Sequence, residues 1–231
     1  MHIMEGFLPP FWAAFWYALC IPFWIWGALQ VKKIFKEHPE QKLILAVSGA
    51  FIFVLSSLKL PSVTGSSSHP TGTGLSAMLF GFSVTAILST IVLVFQALLL
   101  AHGGITTLGA DVFSMGIVGP AVGYYTYRVL RGLKVSLPMT AFVVAVLADW
   151  ATYLVTSLQL ALAFPGDNLM HAYMVFAGVF AITQIPIAIG EGILIWMFFD
   201  FLLKSRPKLI HQLLGMKTQA GAGQKQAEAG A

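Results

Sequence analysis

The sequence predicts an all-α membrane protein, a polytopic helical bundle of about seven transmembrane segments, one of them short or broken. Of the 231 residues, 58% are hydrophobic and only 10% are charged, a balance that soluble domains do not have. Apolar runs long enough to cross a hydrocarbon core of about 30 Å recur along the chain. Most of the 13 Lys and Arg residues stand at the ends of these runs, which indicates membrane topology rather than nucleic-acid binding.

The apolar runs define the elements in chain order. Five spans are predicted, over residues 10–36, 43–59, 110–131, 137–163 and 170–203. Residues 60–72, LPSVTGSSSHPTG, form a loop rich in Ser, Gly and Pro. Residues 1–205 are expected to form one transmembrane domain. The polar, low-complexity residues 206–231 are expected to be a disordered cytoplasmic tail.

The apolar stretch 73–101 is either one tilted helix or two segments broken near Gly81. As one helix, its 29 residues would be about 44 Å long. With one crossing, four Lys and Arg residues fall on one side of the membrane and nine on the other. With two crossings, 12 of the 13 fall on the same side, which the positive-inside rule favours. We therefore expect a buried half-helix over about 73–82, with the amino terminus outside and the carboxyl terminus in the cytoplasm.

The first two residues carry the nitrogen atoms of a metal chelate. The α-amino nitrogen of Met1, the amide nitrogen of His2 and Nδ1 of its imidazole close a five-membered and a six-membered ring around one ion. This planar set leaves room for a fourth ligand, and such nitrogen sites suit Ni(II), Cu(II) and related ions. No signal-peptide pattern opens the chain, so the terminus is expected to be mature. Many proteins begin Met-His by chance, so the dipeptide alone does not establish a site.

Four histidines lie outside in the predicted topology: His2, His69, His102 and His171. The outer loops thus gather imidazoles and almost no Lys or Arg, which suits a cation site. His69 is the candidate fourth ligand, because its loop is long enough to fold over the terminus. His102 and His171 are explained more simply as solvated loop residues.

Two acids, Asp149 and Glu191, lie within predicted spans, each roughly 18–20 Å from its helix end. Intramembrane acids are costly to bury and are often functional. They would line a cation path, pin helices through a buried hydrogen bond, or stay protonated. A structural role is favoured because no basic partner is visible at their depth. A membrane enzyme that uses both acids is the distant alternative. The sequence has no G-x-x-x-x-G-K-[ST] motif, so ATP hydrolysis through a P-loop is excluded for this chain.

Four segments in order resemble the CbiM/NikM family of cobalt and nickel transport proteins: MHIMEGFLPP, LPSVTGSSSHPTGTGLSAMLFG, AHGGITTLGADVFSMGIVGP and TQIPIAIGEG. The resemblance covers about residues 1–205. It implies a non-enzymatic subunit of an energy-coupling-factor importer that binds divalent cobalt and supplies cobalamin synthesis. Nickel is the alternative ion, and no organic cofactor is implied.

The resemblance also implies a place in the cell membrane and a set of partners. These are a small CbiN-like membrane subunit, a transmembrane coupling subunit and ATPase subunits. Ala46 and Ala50 fall on the first helix of the family's six-helix core, where small residues meet the coupling subunit.

In this family the ion is held by the terminal amine, which matches Met1, by the backbone and side-chain nitrogens of His2, and by a loop histidine that matches His69. Asp111 stands where the family pattern leads us to expect Asn, and its carboxylate would add negative charge near the site. Asp111, His102 and His171 are the further candidates, as residues that would support the ligands.

Overall fold

The computed structural model describes residues 2–62, 65–205 and 214, and helices dominate them. The helices are α1 Pro10–Glu37, α2 Lys42–Ser56, α3 Thr73–Phe80, α4 Phe82–Leu100, α5 Leu108–Asp111, α6 Gly119–Gly132, α7 Leu137–Ala163 and α8 Leu169–Ser205. A 3-10 turn, Pro39–Gln41, precedes α2, and a π-helical stretch, Val112–Val118, joins α5 to α6. Three short strands complete the fold: β1 His2–Ile3, β2 Leu60–Pro61 and β3 Ser66–Ser68.

Five helical stretches of the described residues are long and apolar enough to cross a membrane: Pro10–Glu37, Pro39–Ser56, Phe82–Leu100, Leu137–Ala163 and Leu169–Ser205. Four of them match the predicted spans 10–36, 43–59, 137–163 and 170–203, and Phe82–Leu100 is the second half of the predicted broken stretch 73–101. The predicted span 110–131 is not among the five, and α5, the π-helical stretch and α6 occupy it. Many exposed side chains of the five helices are large and apolar, as lipid contact requires. The chain is a helical membrane protein. Seven crossings and the orientation of the termini remain predictions, and the predicted tail 206–231 lies outside the described residues apart from Leu214.

The stretch 73–101 is broken, as the charge distribution predicts. Gly81 separates α3 from α4 and adopts φ 80°, a left-handed conformation that a residue without a Cβ adopts readily. α3 is only eight residues long and its first six residues are buried. A Cβ on Gly74 would lie 3.0 Å from the Cα of Ala145 in α7, so protein rather than lipid surrounds this half-helix.

The amino terminus and the loop over residues 60–72 form a small antiparallel sheet in the order β1-β3-β2. His2 lies opposite Ser67 in the register, and the amide of Met4 donates to Gly65 O at 2.9 Å. The sequence pattern predicts only a loop here. The difference has a physical reason, because main-chain groups that are withdrawn from water need partners, and strand pairing supplies them. The predicted folding of this loop over the terminus is confirmed.

Candidate metal site

Three imidazoles meet where β1, the end of β3 and the α4–α5 loop converge. His2, His69 and His102 are 1%, 0% and 3% exposed, and one ring nitrogen of each lies within 4.8 Å of the others. His2 Nδ1 and His69 Nε2 are 2.5 Å apart. Within the described residues, these three side chains form a group of His, Cys, Asp or Glu residues that lie close enough together to share an ion. Met1, the further predicted ligand, lies outside the described residues.

Hydrogen bonding fixes which nitrogen of His69 carries a lone pair. His69 Nδ1 donates to Pro70 O at 2.8 Å, so Nε2 is the unprotonated nitrogen and faces His2 Nδ1. Two nitrogens bound side by side to one ion at about 2.0–2.1 Å are about 2.9 Å apart. The observed 2.5 Å separation is close to this value, and the two rings are already placed to hold a cation between them.

The buried Gln96 side chain is near the His2 ring and is held by α2. Its amide Nε2 donates to Ser56 Oγ at 2.8 Å and to Phe53 O at 3.2 Å, both near the carboxyl end of α2. His2 Nε2 and Gln96 Oε1 are buried and have no hydrogen-bond partner in the described part of the chain. A proton on Nε2 leaves Nδ1 free to bind an ion.

Two side chains bind the main chain that follows His2. One comes from the turn before α5, and the other is Asp111 at the end of α5. The amide of Ile3 donates to Asp111 Oδ1 at 2.8 Å, and Thr107 Oγ1 donates to Ile3 O at 2.7 Å. Ser66 Oγ donates to His2 O at 2.8 Å. The carbonyls of His2 and Ile3 and the amide of Ile3 are therefore held by buried side chains, which fixes the position of the amino-terminal segment.

Glu191 of α8 fixes the loop that carries His69. Its carboxylate accepts from the amide of Thr71 at 2.6 Å and from the amide of Gly72 at 2.9 Å. These amides stand directly before α3, where a helix leaves N–H groups without intrahelical acceptors and where the helix dipole favours negative charge. The buried acid thus satisfies main-chain donors that have no access to water.

Gln184 of α8 ties the same loop to Asp149 of α7. Its amide Nε2 donates to His69 O at 2.9 Å and to Asp149 Oδ1 at 2.6 Å. Asp149 and Gln184 are completely buried. The two intramembrane acids therefore meet the ligand loop from two helices, one directly and one through an amide. These contacts match the structural role that the sequence favours.

Burial keeps the cluster neutral. Removal from water lowers the pKa of His2 and His69 well below the ordinary value of 6.5, and neighbouring His102 lowers both further. Burial likewise lowers the pKa of His102 to about 3. At neutral pH all three rings thus keep a lone pair, which a cation requires and a protonated imidazole cannot offer.

Of the two remaining candidates, Asp111 lies near this cluster and His171 does not. Asp111 lies beside it, because a Cβ on Gly103 would lie 2.9 Å from His2 Cδ2 and 3.0 Å from Asp111 Oδ2. His171 does not join it. That residue is exposed in the first turn of α8, where its amide bonds to Asn168 Oδ1. In the described structure, His171 therefore lies apart from the histidine cluster.

Ala46 and Ala50 are exposed on α2, where they line a groove of about 410 Å³ between α2 and α4. The groove walls are otherwise almost entirely apolar. This face lies on the outside of the bundle and is separate from the histidine cluster.

Sequence reasoning missed several uncharged polar residues around the cluster, among them Ser67, Gln96 and Gln184. A signal was present for the two glutamines, because uncharged polar side chains within apolar spans usually bond across helices. Ser67 stands in a run of three serines, and nothing in the sequence distinguishes it from its neighbours.

Comparison with known proteins identifies the family of this chain. The family model of the CbiM cobalt uptake substrate-specific transmembrane region matches residues 2–209. A putative cobalt transport protein CbiM of Methanococcus voltae is 55% identical over 94% of this chain and 97% of its own. A cobalt transport protein CbiM of Streptococcus sanguinis is 56% identical over 87% of this chain and 84% of its own. A crystal structure of a truncated transition metal transporter superposes with a TM-score of 0.77 at 28% identity, and covers 88% of this chain and 99% of that one. The chain belongs to the CbiM family, the substrate-specific transmembrane region of cobalt uptake.

Proposed function

We propose that this protein is the substrate-specific subunit of an energy-coupling-factor importer for divalent cobalt in the cell membrane, and that it supplies cobalamin synthesis. The observation that carries the proposal is the buried pair of His2 Nδ1 and His69 Nε2, which lie 2.5 Å apart. Family membership adds that the cargo of these proteins is cobalt.

The ligand set is a planar group of four nitrogens. The amine of Met1, the deprotonated amide of His2 and His2 Nδ1 form two fused chelate rings, and His69 Nε2 fills the fourth position. Three of these nitrogens sit on the amino-terminal segment, which Asp111 and Thr107 hold, and the fourth sits on a loop that α7 and α8 hold. An ion bound here joins two separately supported parts of the chain.

The cargo enters from outside and the chain does no chemistry on it. With the amino terminus outside, the β1-β3-β2 sheet and the α4–α5 loop form the outer face, and the ion is captured where they meet. Partner ATPase subunits supply the energy, a small CbiN-like membrane subunit completes the complex, and a transmembrane coupling subunit packs on the groove that contains Ala46 and Ala50. Small residues there permit close helix approach.

A membrane enzyme is disfavoured by the bonding of the two intramembrane acids. Each oxygen of Glu191 already accepts a hydrogen bond from a main-chain amide, and Asp149 Oδ1 accepts one from the side chain of Gln184. Nickel stays the alternative cargo, because a planar nitrogen set also suits Ni(II).

The metal content of the purified protein tests the proposal. Native protein, a form with one residue added before Met1, and the His69→Ala variant are each incubated with Co(II), desalted and weighed by native mass spectrometry. His171→Ala is the matched control, because this exposed histidine lies apart from the cluster. We expect one ion per chain in the native protein and in the control, and none in the other two. Equal metal in all four would refute the terminal chelate.

A further inference from the structure

The third imidazole of the cluster lies outside the plane of the chelate. The chelate plane contains the His2 ring, because the amide nitrogen and Nδ1 of that residue bind within it. The His102 ring packs against the face of the His2 ring, with centroids 4.0 Å apart and planes inclined by 42°. Against His69 it is nearly perpendicular, at 82° and 5.1 Å. His102 therefore stands out of the plane of the His2 ring, on one side of the place where the other two rings would hold an ion.

The structure holds this ring in place and leaves one of its nitrogens unused. His102 Nε2 is bonded to Ser67 Oγ at 2.9 Å, and Ser67 is the strand residue opposite His2. The main-chain amide of His102 donates to Gln96 O at 3.2 Å. Nδ1 of His102 is buried and has no hydrogen-bond partner among the described residues. A buried imidazole nitrogen without a partner is costly in an ordinary core, and a ligand removes that cost.

We infer that His102 Nδ1 is an axial fifth ligand of the transported ion, an inference that rests on the proposed function. One ring nitrogen of each of the three residues already lies within 4.8 Å of the others. An axial nitrogen and an in-plane nitrogen on one ion are about 3 Å apart. The difference between 4.8 Å and about 3 Å means that the His102 ring must move less than about 2 Å toward the ion. Ser67 follows it as the partner that orients the opposite nitrogen.

An axial imidazole selects cobalt over nickel. In a strong planar nitrogen field, low-spin Ni(II) keeps two electrons in the orbital perpendicular to the plane, and these repel an axial donor. Low-spin Co(II) has one electron fewer in that orbital, so it accepts a fifth ligand. Geometry of this kind separates ions whose in-plane affinities follow the ordinary divalent series, in which nickel exceeds cobalt.

Electron paramagnetic resonance of the Co(II)-loaded full-length protein, with its native terminus and under anaerobic conditions, tests the inference. The unpaired electron of low-spin Co(II) points along the axis, so one axial ¹⁴N splits each cobalt line into three. We expect this triplet in the native protein and in His171→Ala. Labelling the histidines with ¹⁵N should turn it into a doublet. In His102→Ala the triplet should vanish. Its affinity for Co(II) should fall at least about tenfold, while that for Ni(II) stays within about threefold.

The outcomes separate this inference from the proposed function. One cobalt bound per chain without an axial triplet in the native protein, or a triplet that survives His102→Ala, would overturn the axial ligand and leave the chelate standing. No cobalt bound by the native protein would refute the proposed function instead. Nickel binding reports whether His102→Ala folds. If it does not, Ser67→Ala keeps the ring but frees it, and an unchanged ratio of cobalt to nickel affinity in that variant would overturn the inference.

Discussion

Replacing Glu191 with Gln tests whether an intramembrane acid serves the metal loop. In the wild type the carboxylate accepts two main-chain amides, from Thr71 at 2.6 Å and from Gly72 at 2.9 Å. Glutamine has nearly the same size and keeps one oxygen as an acceptor. Its NH₂ group, however, turns a donor toward the second amide. The variant therefore removes one buried, charge-assisted hydrogen bond and leaves one N–H group facing another donor.

The cost follows from the number and kind of bonds that change. A hydrogen bond to a charged group contributes about 1.5–3 kcal/mol, and an unsatisfied buried donor costs about 1–3 kcal/mol. The docked loop should thus lose about 2–4 kcal/mol relative to the undocked one. Since each 1.4 kcal/mol is a factor of ten, the smaller figure already changes the docking equilibrium by about thirtyfold. Metal binding needs His69 in place, so cobalt affinity should fall by about 10- to 100-fold.

Competition with a chelator of known strength measures that change. Asp200→Asn is the matched control, because this acid lies on the same helix but pairs at the surface with Lys204 at 2.7 Å. An exposed pair contributes at most about 1 kcal/mol, so the control should bind cobalt as the wild type does. Affinity within twofold of the wild type in Glu191→Gln would refute the reasoning. Unchanged affinity with loss of uptake would assign Glu191 to the ion's path instead.

Three further predictions follow from the site. Cobalt affinity should rise from pH 6 to pH 9 without an inflection near 6.5, because burial lowers the pKa values of His2 and His69. The amine of Met1 and the amide of His2 still release protons on binding, so the rise should become less steep above about pH 8, where an α-amino group has lost its proton; titration by calorimetry would show it. Gly104→Ala should weaken cobalt binding, since its Cβ would lie 2.7 Å from that of Glu5 and displace the amino-terminal segment, while Gly178→Ala, with nothing within 4 Å, should bind normally. Asp111→Ala should destabilise the protein by about 1–3 kcal/mol by orphaning the amide of Ile3, whereas Asp111→Asn keeps an acceptor and should melt near the wild type.

The helices could be predicted from the sequence because lipid leaves the chain few choices. A segment that crosses the membrane must satisfy its own main-chain groups, so a long apolar run is almost always a helix. The span predicted over 137–163 coincides with α7 Leu137–Ala163. The break at Gly81 gives no hydropathy signal, and the distribution of Lys and Arg revealed it.

The site could be predicted only as far as chelate chemistry reaches. Ring sizes pointed to His2, and the length of the 60–72 loop pointed to His69, whose Nε2 lies 2.5 Å from His2 Nδ1. The place of His102 depends on a strand register and on the turn after α4, and neither leaves a pattern in the sequence. The partners of Glu191 are main-chain amides 119 and 120 positions away, and an amide is present at every residue except proline.

The two intramembrane acids and the irregular loop explain one another. A loop that enters the interior of a bundle brings amides that neither water nor a regular helix can satisfy. Glu191 accepts hydrogen bonds from two of these amides and so removes part of this cost, and an acid there suits the start of α3. Asp149 acts on the loop through Gln184. His69 follows the same logic, because Gln184 holds its carbonyl and Pro70 holds its Nδ1. Its position thus depends on α7 and α8 as much as on its own loop. Any movement that separates α8 from the loop must break the contacts of Glu191 and Gln184 together, and with them the support of the ligand.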